Sequence, residues 1–309
     1  MKKCLALNSK LYDGIHMTTI LMAETKLDAD QLLLDAMEKR WRNYRKEFKR
    51  CRAEFSNEVV HDLRVATRRL LAVIELLNAI SPRPRLQKLI RALKDELDEF
   101  DDLRDTQVML AELSEVVQEL PQLHDFQKHL QFMEAKMLRN LRKKIKGLES
   151  SEISKRILKT HESLKTGTKD DFKPQIVQAV DDVYLSARQR LDWVNLSRSV
   201  TIHRVRIAFK SFRYMVEIIH PLLDDYPVEN LLRMNDYQAL MGEIQDAEVF
   251  AQTLADYSEH TSLSDIQPVR NYYERRHAEA ISAYAEAINL FHTFWRSKPE
   301  EPFPWEKPK

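Results

Sequence analysis

The residues of this chain best suited to hold an anion are basic ones set at fixed intervals. His61, Arg64 and Arg68 stand at i, i+3 and i+7, with Arg69 beside the last. His203, Arg206 and Lys210 stand at the same intervals further along, with Arg213 close behind. An arginine is always charged and presents a planar fork of donors that suits phosphate oxygens. A lysine adds a mobile point charge, and a nearby polyanion favours the charged, donating form of a histidine. On a helix such a row runs about 10 Å along the axis, at roughly 1.5 Å per residue. That length suits an extended anion with regularly spaced charges better than one small phosphate. No GxxxxGK[ST] loop occurs, so binding would rest on side chains rather than on backbone amides.

A helix must present these rows. On a helix turning roughly 100° per residue, Leu63, Ala66, Leu70, Val73, Ile74 and Leu77 fall on one apolar stripe. Taking His61 as zero and that stripe as centred near 170°, Arg64 and Arg68 fall near −60° and −20°, opposite it. Arg69 stands to one side. The same drawing returns 142 positions later: Val205, Ala208, Phe212, Met215, Val216 and Ile219 rebuild the stripe, and Glu217 repeats Glu75. A charged stripe is most often a solvated face. Solvated faces usually mix signs, however, whereas these carry only basic charge from each histidine to each glutamate, and they do so twice.

Each copy is followed by a second landmark. FDDLRDTQVML runs from Phe100 to Leu110 and MGEIQDAEVFA from Met241 to Ala251, with Asp105 and Asp246 lying 44 and 43 residues after their histidines. H-x-x-R-V-A-T-R-R, H-x-x-R-I-A-x-K-x-x-R-Y and these paired segments resemble the CHAD family, the conserved histidine α-helical domain. The resemblance covers roughly residues 28–297. It departs from the family pattern at Asp101, where glycine is usual, whereas Gly242 fits; Gln245 stands where the first copy has Arg104. The resemblance implies an all-α fold of two four-helix-bundle-like halves that binds inorganic polyphosphate on a basic surface where they meet. Residue by residue it carries over to His61, Arg64, Arg68, Arg69, His203, Arg206, Lys210 and Arg213. It also implies polyphosphate granules or polyphosphate-metabolising proteins as partners.

Composition agrees with a helical chain. Of 309 residues only four are glycine, and 31% are charged. The net charge of +1 hides segregation: eight cations crowd residues 39–52, and seven acids crowd residues 95–105. No apolar run is long enough to cross a bilayer, and none near the start resembles a leader, so a cytoplasmic location is expected. Two cysteines, Cys4 and Cys51, suggest neither a disulfide framework nor a zinc site. No cofactor or metal is expected.

Periodicity and breakers predict two tandem pseudo-symmetric bundles of about four to five helices each: residues 28–147, a connector at 148–173 with a helix around 152–165, and residues 174–297. Residues 1–27 read as a lead-in, and the Pro-rich tail 298–309 as extended or disordered. Ser56 caps the His61 helix, which ends before Pro82; the His203 helix stops at Pro221. A fourth helix in each half is expected to start near Asp105 and Asp246, as caps or as acidic partners of a preceding cation. Trp41, Tyr44 and Phe48 have the spacing of a buried stripe. Arg45 and Arg52 fall at its edge and are weaker candidates for the basic surface. The run at 139–146 reads as a solvated face.

Three functions compete. Non-catalytic binding of polyphosphate leads. A metal-dependent phosphohydrolase is suggested only by the His61-Asp62 dipeptide, which the second copy does not repeat. A helical scaffold for nucleic acid or protein would use the same surface. Since Arg64 and Arg206 are both read as off-core, reversing their charges should abolish binding with little effect on melting.

Overall fold

The structure is a computed structural model that describes residues 28–147, 151–165, 172–260 and 266–306. The lead-in at 1–27, parts of the connector and the last three residues lie outside them. The described residues are mostly helical, and no strand occurs among them. In the first half α1 is Ala29–Ala53, α2 Asn57–Ile80, α3 Pro84–Asp98, α4 Asp101–Val116 and α5 His124–Gly147. The connector helix α6 is Ser151–Lys165. The second half has α7 Lys173–Leu191, α8 Ser199–Ile219, α9 Glu229–His260 and α10 Gln267–Ala287.

The local signals explain these limits. Asp28 caps α1 by accepting from the Asp30 amide at 3.1 Å, and Ser56 Oγ accepts from the Val59 amide at 3.4 Å to start α2. Pro84 takes the first turn of α3, where its missing N–H costs nothing. The stripes then bury as their spacing requires. Leu63, Leu70, Val73 and Ile74 are wholly inaccessible, as are Val205, Phe212, Val216 and Ile219; Ala208 is only half-buried. Each such side chain contributes about 1.5–3 kcal/mol on leaving water.

α1 packs along α2, and α7 along α8. α2 is the central element, because it also meets α3, α7 and α8. That is why Leu71, Ala72 and Leu76, off its main stripe, are buried too. One hydrophobic core runs through both halves, from Trp41 and Leu70 to Phe209 and Trp295. A smaller one joins Met109, Leu113 and Phe126 to Phe250 and Tyr273 at the far ends of α4, α5, α9 and α10. The Trp41–Tyr44–Phe48 stripe is core, with stacked rings 5.5 and 5.8 Å apart.

α2 and α8 meet by exchange of equivalent residues. Arg69 of α2 reaches Glu217 of α8 at 3.6 Å, and Ser211 of α8, the counterpart of Arg69, donates to Glu75 of α2, the counterpart of Glu217, at 3.4 Å. This is the reciprocity of a two-fold interface within one chain.

Three expectations are corrected. α4 begins at Asp101, so Asp105 lies a turn inside the helix rather than capping it. In the second half no new helix starts near Asp246: α9 runs unbroken from Glu229 to His260 through Gly242. The tail through residue 306 is not loose. Phe303 and Trp305 stack 4.6 Å apart, pack edge-on against buried Trp295, and Trp305 Nε1 donates to the Asp224 carbonyl at 3.3 Å. Its aromatic residues outweigh the prolines that suggested an extended tail.

Candidate functional site

α2 and α8 bring cations of both halves into one neighbourhood. Burial depresses the Lys210 ammonium well below its usual range, and Arg68, Arg206, Arg64 and Arg213 push the same way. Burial, helped by Arg64 and Arg206, lowers Arg68 to about 10, while Tyr214 and Asp101 oppose the shift. His61 is held below its ordinary value by burial and then by Arg104, Arg68 and Arg64, against Asp62. Arg68, Arg206 and Lys210 are only half-buried and His61 is exposed, so water reaches a site otherwise crowded by protein. Desolvated like charges repel strongly, so a bound anion would relieve the strain of holding them together.

The arginines differ in what occupies them. Arg64 is 4% exposed, donating Nη1 to the Leu97 carbonyl at 2.9 Å and Nη2 to Asp101 at 2.5 Å. The single-helix wheel placed it off-core, but the α3–α4 junction folds over that side of α2 and buries it. The expectation that its charge reversal would leave melting unchanged is therefore corrected: Arg64 is a structural ion pair. Arg213 is likewise buried at 7%, bonded to Gln238 at 3.0 Å and Glu217 at 2.7 Å, with its guanidinium 4.5 Å over the Tyr214 ring. Arg69 joins it at Glu217, where Arg40 also lies near.

Arg206 has no such partner among the described residues. Its guanidinium lies over Gly242, where a Cβ would come within 3.8 Å of Nε and 3.9 Å of Nη2. Arg206 Nε finds no hydrogen-bond acceptor among those residues, and neither does His203 Nδ1, one turn earlier on α8. Gly242 is the counterpart of Asp101, so the second half lacks the carboxylate that occupies Arg64 in the first.

α4 and α9 supply the remaining charges. Asp246 keeps an exposed surface, yet the protein crowded around it desolvates its carboxyl and raises it to about 6, with Asp105 and Glu112 adding to the rise and Arg206 and Arg104 opposing it. Asp105 is raised by burial and by Asp101 and Asp102, against Arg64 and Arg206. The two landmark aspartates thus lie within electrostatic reach of the arginines, without an ion pair to them among the described residues. Arg104 was missed as a site residue: it donates to Asn57 at 3.0 Å and lies among Asp246, Arg64 and Asp105. Its place in the repeated landmark was the available signal. Arg45 and Arg52 stand apart, lining a shallow depression of about 440 Å³ on α1 with Tyr44, Phe48 and Lys49. Among the described residues neither acts on the charges of the α2–α8 cluster.

Asp62 of the His-Asp dipeptide is bound by Arg50 of α1 at 2.7 Å. Among the described residues no three His, Cys, Asp or Glu side chains gather so as to hold a metal ion, and no helix is long and apolar enough to cross a membrane.

No curated protein sequence matches the chain. A crystal structure of the CHAD domain from the plant Ricinus communis shares its fold, with a TM-score of 0.63 and 18% identity over 88% of this chain and 93% of that one. The CHAD domain profile matches residues 34–255, which include both histidine helices and both aspartate landmarks. With that match over most of its length, and an all-α fold to go with it, the chain belongs to the CHAD family.

Proposed function

We propose that the protein binds inorganic polyphosphate, without catalysis, across the junction of α2 and α8. One observation carries this reading. Lys210 and Arg68, from different halves, are crowded and desolvated against each other and against Arg206. Such an assembly is favoured by an anion that touches several cations at once. A linear phosphate chain does so, and the resemblance of the paired motifs to polyphosphate-binding relatives supports it. His61, Arg68, Arg206 and Lys210 make the contact surface, joined by His203 and Arg104. Arg64 and Arg213 hold its floor, and Arg69 ties the halves together. The binding is electrostatic clamping by side chains; the groups around His61 are mainly arginines, which suit holding phosphate rather than activating water.

The test is a titration with long-chain polyphosphate at rising salt. Affinity should fall steeply, by about 0.7 in log K per log salt for each phosphate neutralised, as for single-stranded polyanions. Arg206→Glu with Lys210→Glu should weaken binding at least about tenfold and leave the circular dichroism spectrum intact. Affinity that ignored salt, or was unchanged by that double variant, would rule the reading out.

A further inference from the structure

A second group of cations lies on the connector, away from the α2–α8 junction. Arg85 and Lys88 on α3 face Lys155, Arg156 and Lys159 on α6 across a groove of about 320 Å³, with Pro84 at its end. Arg85 Nη1 donates to the Lys159 carbonyl at 3.1 Å, which fixes one guanidinium and ties the two helices across the groove. Among the described residues no acidic side chain lines it, and no aromatic one does. Lys88, Lys155 and Lys159 are exposed. Solvated helix faces ordinarily mix signs, and Arg85, Lys88, Lys155 and Lys159 on facing helices, with no carboxylate among the described residues that line the groove, set up a positive potential that gathers anions.

We propose that this α3–α6 groove is a second seat for a condensed phosphate chain. The cations form two facing rows: Arg85 and Lys88 are about 4.5 Å apart along their helix axis, and Lys155 and Lys159 about 6 Å, at 1.5 Å per residue. A chain of phosphates lying between the rows meets cations from both sides, which a single phosphate does not. Single-stranded nucleic acid is disfavoured because its sites combine cations with aromatic stacking platforms, and the lining of this groove has none. Lys88 is nine residues before Leu97, which holds Arg64, so the groove lies about 14 Å along α3 from the α2–α8 site. α6 belongs to the connector and has no counterpart in either half, so this seat breaks the internal symmetry. The class of ligand rests on the polyphosphate reading above; the groove's own geometry does not.

The experiment counts lysine modification by an amine-reactive reagent, read by mass spectrometry, with and without long-chain polyphosphate. It is run on the wild type, on Arg206→Ala/Lys210→Ala, and on Lys88→Ala/Lys155→Ala/Lys159→Ala. Polyphosphate should protect Lys88, Lys155 and Lys159 in the wild type and equally in the Arg206/Lys210 variant. The triple variant should bind with a log–log salt slope smaller by about 2, from three lost contacts at about 0.7 each. Protection at the groove with none at Lys210 would overturn the α2–α8 reading and leave this one standing. Unprotected groove lysines, or stronger protection by single-stranded RNA than by polyphosphate, would overturn the groove proposal.

Discussion

Arg64 and Arg206 occupy the same place in two copies of one helix, yet they have different work. Arg64 is sealed under the α3–α4 junction by Leu97 and Asp101. Arg206 rests on the bare backbone of Gly242 in an unbroken α9, with Nε unpartnered among the described residues. A single exchange, aspartate for glycine at matching positions, divides the pair into a structural cation and, on the proposed function, a binding one. A repeated motif therefore marks where a charge sits, while the facing helix decides whether that charge is spoken for.

Removing each arginine in turn should expose the contrast most sharply. Arg64→Ala leaves a buried carbonyl and a carboxylate without their partner and should cost about 2 kcal/mol in urea unfolding. Arg206→Ala should change stability by no more than about 0.5 kcal/mol, because Nε holds no acceptor among the described residues and the lost pull on Asp246 is offset by relief of the repulsion from Arg68 and Lys210. Equal losses would mean the two halves are not specialised. Next, Gly242→Asp installs in the second half what the first already has. The space above Gly242 leaves ordinary room for a Cβ. Polyphosphate affinity should fall about tenfold, the equivalent of about 1.4 kcal/mol. Asp101→Asn works in the other direction by releasing Arg64 from a half-exposed ion pair, and affinity should rise about threefold, within the roughly 0.2–1 kcal/mol typical of such pairs. Unchanged affinity in both variants would show that neither position governs the cations.

The smallest effect concerns pH. Asp246, raised to about 6 beside Arg206, Arg104, Asp105 and Glu112, loses its negative charge as pH falls from about 8 to about 5. His61, held below its ordinary value by burial and Arg104, gains a positive one as pH falls further than an ordinary histidine requires. Both changes favour a polyanion, so affinity should rise as pH falls. Asp246→Asn should flatten part of the profile and bind about twofold more tightly near pH 8, a change of a few tenths of a kcal/mol. The stability sign is opposite to that of an ordinary ion-paired carboxylate. A raised carboxyl pKa favours folding below the usual 3.8 and loses that favour as pH rises through about 6. Asp246→Asn should therefore melt higher than the wild type near pH 8, with the gap closing below about pH 4.

Much of this architecture was legible in residue order. The apolar stripes of α2 and α8, the Ser56 cap and the aromatic stripe of α1 follow from periods that a helix enforces locally. The failures share one cause, since a wheel drawn for one helix knows nothing of its neighbours. It could not show α3 and α4 closing over Arg64, Glu217 capturing Arg69 and Arg213, or Asp246 sitting mid-helix against Arg206. The tail misled for a related reason. Pro299, Pro302 and Pro304 speak for local backbone, while Phe303 and Trp305 answer to Trp295 and Tyr226, the latter far away in sequence.

The mirrored pairs Arg69–Glu217 and Ser211–Glu75 carry an implication about ancestry. Two identical subunits docked about a dyad would make that same pair of contacts, once from each side. Tethering them frees each copy to drift independently, and the aspartate-for-glycine exchange is drift of a kind that a true homodimer, bound to change both sites at once, can never make.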